Sequence, residues 1–118
     1  MIETTPAMEL LTRAIDVSAL KQSVYAANIA NADVAGYRRM EVSFDRELER
    51  LSLMMSGPPG ALDASLAAAP AVVPTQSAVK LDEEMALMAQ NSLRYRGLLG
   101  AIERSLGTLQ LAVREGRT

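Results

Sequence analysis

Between Leu81 and Val113 the chain repeats one spacing without a slip. Leu81, Met85, Met88, Ser92, Tyr95, Leu99, Ile102, Leu106, Leu109 and Val113 follow one another at alternating steps of four and three. Nine of these ten positions are apolar, counting Tyr95. Such a period belongs to an α-helix that lays a continuous seam along a partner helix. Asp82 reads as its N-cap, with Glu83 and Glu84 in the first turn and Arg114 near the end, the charge order that a helix dipole favours. At ~1.5 Å per residue the helix is about 50 Å long. A compact fold of 118 residues cannot house it; a hairpin, bundle or filament can.

A second helix is expected from about Pro6 to Ala32, with Thr5 as N-cap and Pro6 in the first helical position, where a missing N–H is harmless. Met8, Leu11, Ile15, Tyr25 and Ile29 form one stripe, interrupted by Ser18 and Gln22; Leu10, Ala14, Val17 and Val24 form another, roughly opposite. Two apolar faces call for two partners, only one of which is expected within the chain. Asn31 to Gly36 ends the helix, since Asn and Asp bond their own backbone and Gly allows positive φ. A weaker helical pattern comes next, with Ser43 as cap and Phe44, Leu48, Leu51 and Met55 on one face. From Ser56 to about Ser77 the Pro/Ala-rich sequence blocks helix and central strand alike and reads as a flexible linker.

The expected fold is all-α: N- and C-terminal helices paired as a long antiparallel coiled-coil-like hairpin, joined by a short helix and the flexible linker. The divisions fall at 1–35, 36–55, 56–79 and 80–118.

Composition narrows the function. The chain has neither Cys nor His, so thiolate chemistry, disulfides and the commonest metal ligand and neutral-pH base are missing. A net charge of −2, with both signs interspersed, lacks the basic footprint that nucleic acid requires. No run approaches the ~18 apolar residues of a membrane span. Met1-Ile2-Glu3 is no basic leader, and Glu9, Arg13, Asp16 and Lys21 break each apolar stretch beyond it; export, if it occurs, is expected without a cleaved leader. Glu83 and Glu84 are the nearest approach to a catalytic carboxylate pair, but capping and dipole complement account for them. Arg38 and Arg39, followed by Glu41, read as solvated or subunit-facing. No enzyme activity, cofactor, metal or small-molecule substrate is expected.

Two segments carry a family resemblance. Asn28-Ile29-Ala30-Asn31-Ala32-Asp33 with Gly36-Tyr37-Arg38 resembles the N-terminal signature of flagellar rod and hook proteins. Leu81-Asp82-Glu83-Glu84-Met85 with Asn91-Ser92-Leu93-Arg94-Tyr95 resembles their C-terminal segment, closer to the B-type proximal branch of the rod family than to the C-type. The turn departs from the family wording Asp-Thr-Pro-Gly-Tyr: Val34 and Ala35 stand in place of Thr and Pro. The resemblance implies a subunit exported through the flagellar type III apparatus without signal cleavage. It implies helical stacking in the periplasmic rod of the basal body, where it transmits torque beside its own copies, other rod subunits and the membrane-ring and export-gate components. A cytoplasmic helical adaptor or export chaperone would share the heptads but not the paired end motifs.

On this basis the turn and assembly motif is Asn28, Asn31, Asp33, Gly36 and Tyr37. Helix pairing is expected through Met85, Met88, Asn91, Tyr95, Leu99, Ile102, Leu106 and Leu109. Ser18, Gln22 and Ser92, polar within apolar seams, can set register or bond their own helix. Gly100 and Gly107, seven apart on the flank of Ala86 and Leu93, suggest close approach of a neighbouring subunit's helix. One seam of apolar side chains, each contributing ~1.5–3 kcal/mol when fully buried, does not offset the roughly 1–2 kcal/mol of backbone entropy per ordered residue. Folding is therefore expected to be coupled to assembly.

Overall fold

The structure is a computed structural model that describes residues 6–43 and 70–116. Thr5, the helix expected after Ser43 and most of the Pro/Ala-rich segment lie outside the described residues. Four elements succeed one another: α1 (Pro6–Ala30), β1 (Met40–Val42), β2 (Val72–Pro74) and α2 (Leu81–Glu115).

The two helices pack antiparallel. Near the end of α1, Asn28 meets Glu84 at the start of α2; midway, Ser18 and Gln22 meet Asn91; at the far end Ala7, Met8 and Leu11 lie across a cleft from Ser105, Thr108 and Leu109. The result is elongated, 65 × 30 × 19 Å with a radius of gyration of 17.9 Å, against about 13.5 Å for a compact domain of this length.

Helix α2 begins one residue before the expected cap. Lys80 is the N-cap and makes no side-chain capping bond, and the Glu84 N–H already donates to the Lys80 carbonyl at 2.9 Å. Asp82 is thus helical, adding negative charge to the first turn with Glu83 and Glu84 rather than capping it. The seam is rotated as well. The buried or half-buried line on α2 runs Glu84, Met88, Asn91, Tyr95, Leu98, Ile102, Ser105, Leu109. It keeps the steps of four and three and shares Met88, Tyr95, Ile102 and Leu109 with the expected seam. The other half moves back by one residue, so Met85, Leu99, Leu106 and Val113 are left exposed. The cause is polar: Glu84 and Asn91 are the buried residues of α2, drawn inward by partners on and beside α1.

A two-stranded ribbon accompanies the helices. β1 and β2 run antiparallel, pairing Met40 with Pro74, Glu41 with Val73 and Val42 with Val72. Part of the stretch read as linker is therefore strand, and a proline sits in it. The bonds from Thr75 N–H to the Arg39 carbonyl (2.8 Å) and from Ser43 N–H to the Ala71 carbonyl (3.0 Å) place the bonded positions at odd residues, so Pro74 occupies a non-bonded position where its absent N–H costs nothing. The ribbon also alters the count of partners for α1. Val17 and Val24, on the second stripe, are buried with Val42 of β1, flanked by Leu20 and Met40. That face, expected to await another molecule, is covered at its centre by the chain itself.

Candidate functional site

Helix α1 stops where its side chains begin to compete for the backbone. Asn31 bonds the Ala27 carbonyl through both its N–H (3.0 Å) and its Nδ2 (2.8 Å). Val34 N–H then donates to Asn31 C=O (3.0 Å) and Tyr37 N–H to Val34 C=O (3.2 Å). Gly36, third of the four residues 34–37, has φ +78°. That is the position at which a type II turn demands positive φ, with Ala35 in the place that proline favours. Asp33 is exposed. The turn reverses the chain and presents Tyr37, Arg39 and Met40 to the last turn of α1.

Asn28 is the hub on which α1, β1 and α2 converge. It is fully buried (0% exposed), and its amide uses its full capacity of two donors and two acceptor sites. Nδ2 donates to the Met40 carbonyl (2.9 Å) and to Glu84 Oε1 (2.6 Å). Oδ1 accepts from the Met40 N–H (2.9 Å) and the Tyr37 hydroxyl (2.9 Å). By satisfying both backbone groups of Met40, the side chain imitates a neighbouring strand and closes the edge of β1 that faces away from β2. Glu84, 1% exposed, receives the Arg39 Nε on its other oxygen at 2.7 Å. Arg39 is held at its backbone as well, its N–H on the Ser77 carbonyl (2.9 Å), and its Nη1 reaches Glu41 at 3.3 Å. Burial alone would lower the Arg39 pKa; the hydrogen bonds and charges of Glu84 and Glu41 outweigh it and raise the pKa above the ordinary arginine value. Half-buried Tyr25 beside this cluster has its pKa raised, chiefly by desolvation.

One heptad along α2, Asn91 is 4% exposed. Its Nδ2 donates to the Ser18 carbonyl (2.8 Å) and to Gln22 Oε1 (2.8 Å), while its Oδ1 has no donor among the described residues. Tyr95 lines a cleft with Ala19, Gln22, Ser23 and Ser92. Of the remaining expected pairing residues, Met88, Ile102 and Leu109 are half-buried, whereas Met85, Leu99 and Leu106 are exposed. Gly100 and Gly107 have open space where a Cβ would stand.

This arrangement binds one part of the chain to another. The carboxylate of Glu84 is occupied on both oxygens and screened from solvent, so the pair Glu83 and Glu84 divides into one exposed and one structural acid. Among the described residues no group of three or more acidic side chains is placed to hold a metal ion, and no helix is long and apolar enough to cross a membrane. Sequence reasoning missed the pairing of Glu84 with Arg39, the first assigned to capping and the helix dipole, the second to solvent or a neighbouring subunit. The available signal was the polar pair Glu84 and Asn91, seven apart on a helix otherwise rich in apolar side chains.

Comparison with known proteins gives the same picture a family. Residues 8–38, which hold α1 and its turn, match the model of the flagella basal body rod protein family. The chain is 30% identical over 110 residues to the flagellar basal body rod protein FlgB of Salmonella typhimurium, covering 76% of this chain and 80% of the relative. It is 28% identical over 130 residues to the Escherichia coli FlgB, covering 93% and 94%. Against the Borrelia hermsii FlgB identity rises to 48%, over 46 residues that make 39% of this chain and 34% of that one. The chain belongs to the flagellar basal body rod protein family, as a FlgB-like structural subunit of the rod.

Proposed function

We propose that this subunit builds the proximal rod by helical assembly through its two terminal helices and transmits torque as part of the finished shaft. In this reading it passes the type III export apparatus without signal cleavage and stacks on the periplasmic side against its own copies, other rod subunits and the membrane-ring and export-gate components. Asn28, Asn31, Asp33, Gly36 and Tyr37 shape the end of α1 for that packing. The observation that carries the reading is the stripe Met85, Leu99, Leu106 and Val113, which repeats at multiples of seven along α2 and stays exposed beside the seam that α1 occupies. An apolar helical stripe at this period is built to meet another helix.

The thinness of the core supports coupling of folding to assembly. Among the described residues the buried hydrophobic side chains are Val17, Val24 and Val42, too few to offset the entropy of ordering two long helices. Sedimentation and far-ultraviolet circular dichroism over a wide concentration range test this. Mass and helicity should rise together in the natural protein. A Leu99→Ser/Leu106→Ser variant should stay small and leave cells non-motile. A fully helical monomer that melts cooperatively at micromolar concentration and never associates would overturn the proposal.

A further inference from the structure

The apolar column of the seam, Met88, Tyr95, Ile102 and Leu109, recurs every seven residues. Sliding α2 by seven residues along α1, about 10 Å, puts Leu81 or Tyr95 in the place of Met88 and another member of the column in each later place, except that in one direction Gly116 takes the place of Leu109. Apolar burial is therefore nearly indifferent to such a slip. The neighbouring column, Glu84, Asn91, Leu98 and Ser105, is not periodic in chemistry, and its first two members are the buried residues of the helix.

Each direction of slip breaks something different. In one, Leu98 comes opposite the Ser18 carbonyl and Gln22, and Asn91 takes the place of Glu84, so that Arg39 loses its buried carboxylate. In the other, the Glu84 carboxylate meets the Ser18 carbonyl, oxygen against oxygen, while Ser77, which precedes the helix, falls beside Asn28. We propose that Glu84 and Asn91 are positioning residues that select the register of the hairpin, a task the apolar seam cannot perform. The Oδ1 of Asn91, without a donor among the described residues, fits such a role: a buried acceptor without a donor costs stability, and a polar residue in a helical seam specifies alignment at such a cost. Register in turn decides which part of the exposed Met85–Val113 stripe stands beside which part of α1.

The absence of native cysteine makes the test clean. Nitroxide labels on Ala26→Cys and Glu103→Cys, both exposed positions, report the axial offset of the helices by pulsed electron resonance in full-length protein at a concentration where it has assembled, the labelled chains being diluted with unlabelled ones. The natural side chains should give one distance. The Glu84→Leu/Asn91→Leu variant should add a population displaced by about 10 Å, whereas Leu98→Ala, which only thins the packing, should lower the urea midpoint and keep the single distance. A folded double variant with the native distance alone overturns the proposal. Should the double variant lose its helicity, Asn91→Leu by itself decides: its urea midpoint must rise as the distance distribution gains the displaced population, and a lower midpoint with an unchanged distance overturns the assignment.

Discussion

Where α1 turns into β1, Asn28 and Glu84 have every side-chain polar atom bonded and almost no exposed surface; where α1 begins and α2 ends, Leu106 and Val113 stand exposed and Leu109 shares with Met8 and Leu11 the lining of an open cleft of about 270 Å³. The polar contacts of the first end are directional and self-sufficient, although Met85 beside them is exposed. Those contacts specify partners by geometry, and all the partners lie within the chain. The second is apolar and incomplete, because dispersion and burial accept many partners and the chain supplies only some of them. A subunit that must be well defined yet unfinished can divide those tasks between its ends in this way.

The strongest attempt to break that contrast is a pair of truncations. Asn28→Ala removes four hydrogen bonds and leaves the Met40 amide, the Tyr37 hydroxyl and one Glu84 oxygen without their partner. With buried unsatisfied groups costing ~1–3 kcal/mol each, the loss should reach about 3 kcal/mol or more, close to complete unfolding for a marginally stable chain. Leu109→Ala removes a half-buried side chain at the other end and should cost about 1 kcal/mol in the isolated protein. Urea denaturation followed by circular dichroism measures both. Equal losses would mean that the two ends are held in the same way.

How much of this could be read beforehand depends on the reach of the interaction. Both long helices and the turn at Gly36 were legible, because helical period, proline at the first position and glycine at positive φ act within a few residues. The ribbon was not, for each strand is three residues long and β2 ends in a proline whose harmlessness depends on register with a segment more than thirty positions away. Glu84 was legible only as a first-turn acid. Its partner Arg39 lies 45 positions earlier, and nothing local distinguishes it from Glu83. The rotation of the seam has the same origin: Leu81-Met85-Met88-Ser92 and Glu84-Met88-Asn91-Tyr95 share one period, and ranking by hydrophobicity selects the first. Polar residues that look like interruptions turned out to mark the line of contact.

A second experiment sharpens the comparison at the open end. Gly100 and Gly107 carry the helix penalty of up to ~1 kcal/mol each relative to alanine, and a Cβ at either would touch nothing within 4 Å. Gly100→Ala/Gly107→Ala should therefore stabilise the isolated chain by about 1–2 kcal/mol. If the glycines admit a neighbouring helix, the same variant should assemble less well. Opposite signs in denaturation and in sedimentation would identify them as part of an interface. A variant that gains in both would show that the flank is simply open to solvent.

The smallest effect is expected at the turn, and it probes whether the closed end still has freedom to lose. Ala35 occupies the turn position that suits proline, and its amide has no acceptor among the described residues, so Ala35→Pro removes no bond. The substitution narrows the unfolded ensemble and should stabilise by about 0.4–1 kcal/mol. Because the gain arises in the unfolded chain, hydrogen exchange in the native state should keep its profile, with amides around Asn28 and Glu84 slow and those beyond Leu106 fast. A loss of stability instead would mean that Val34 cannot take the extended backbone that a following proline requires. The turn would then owe its shape to Asn31 and Tyr37, whose backbone bonds flank it, more than to the local preference of residues 35 and 36.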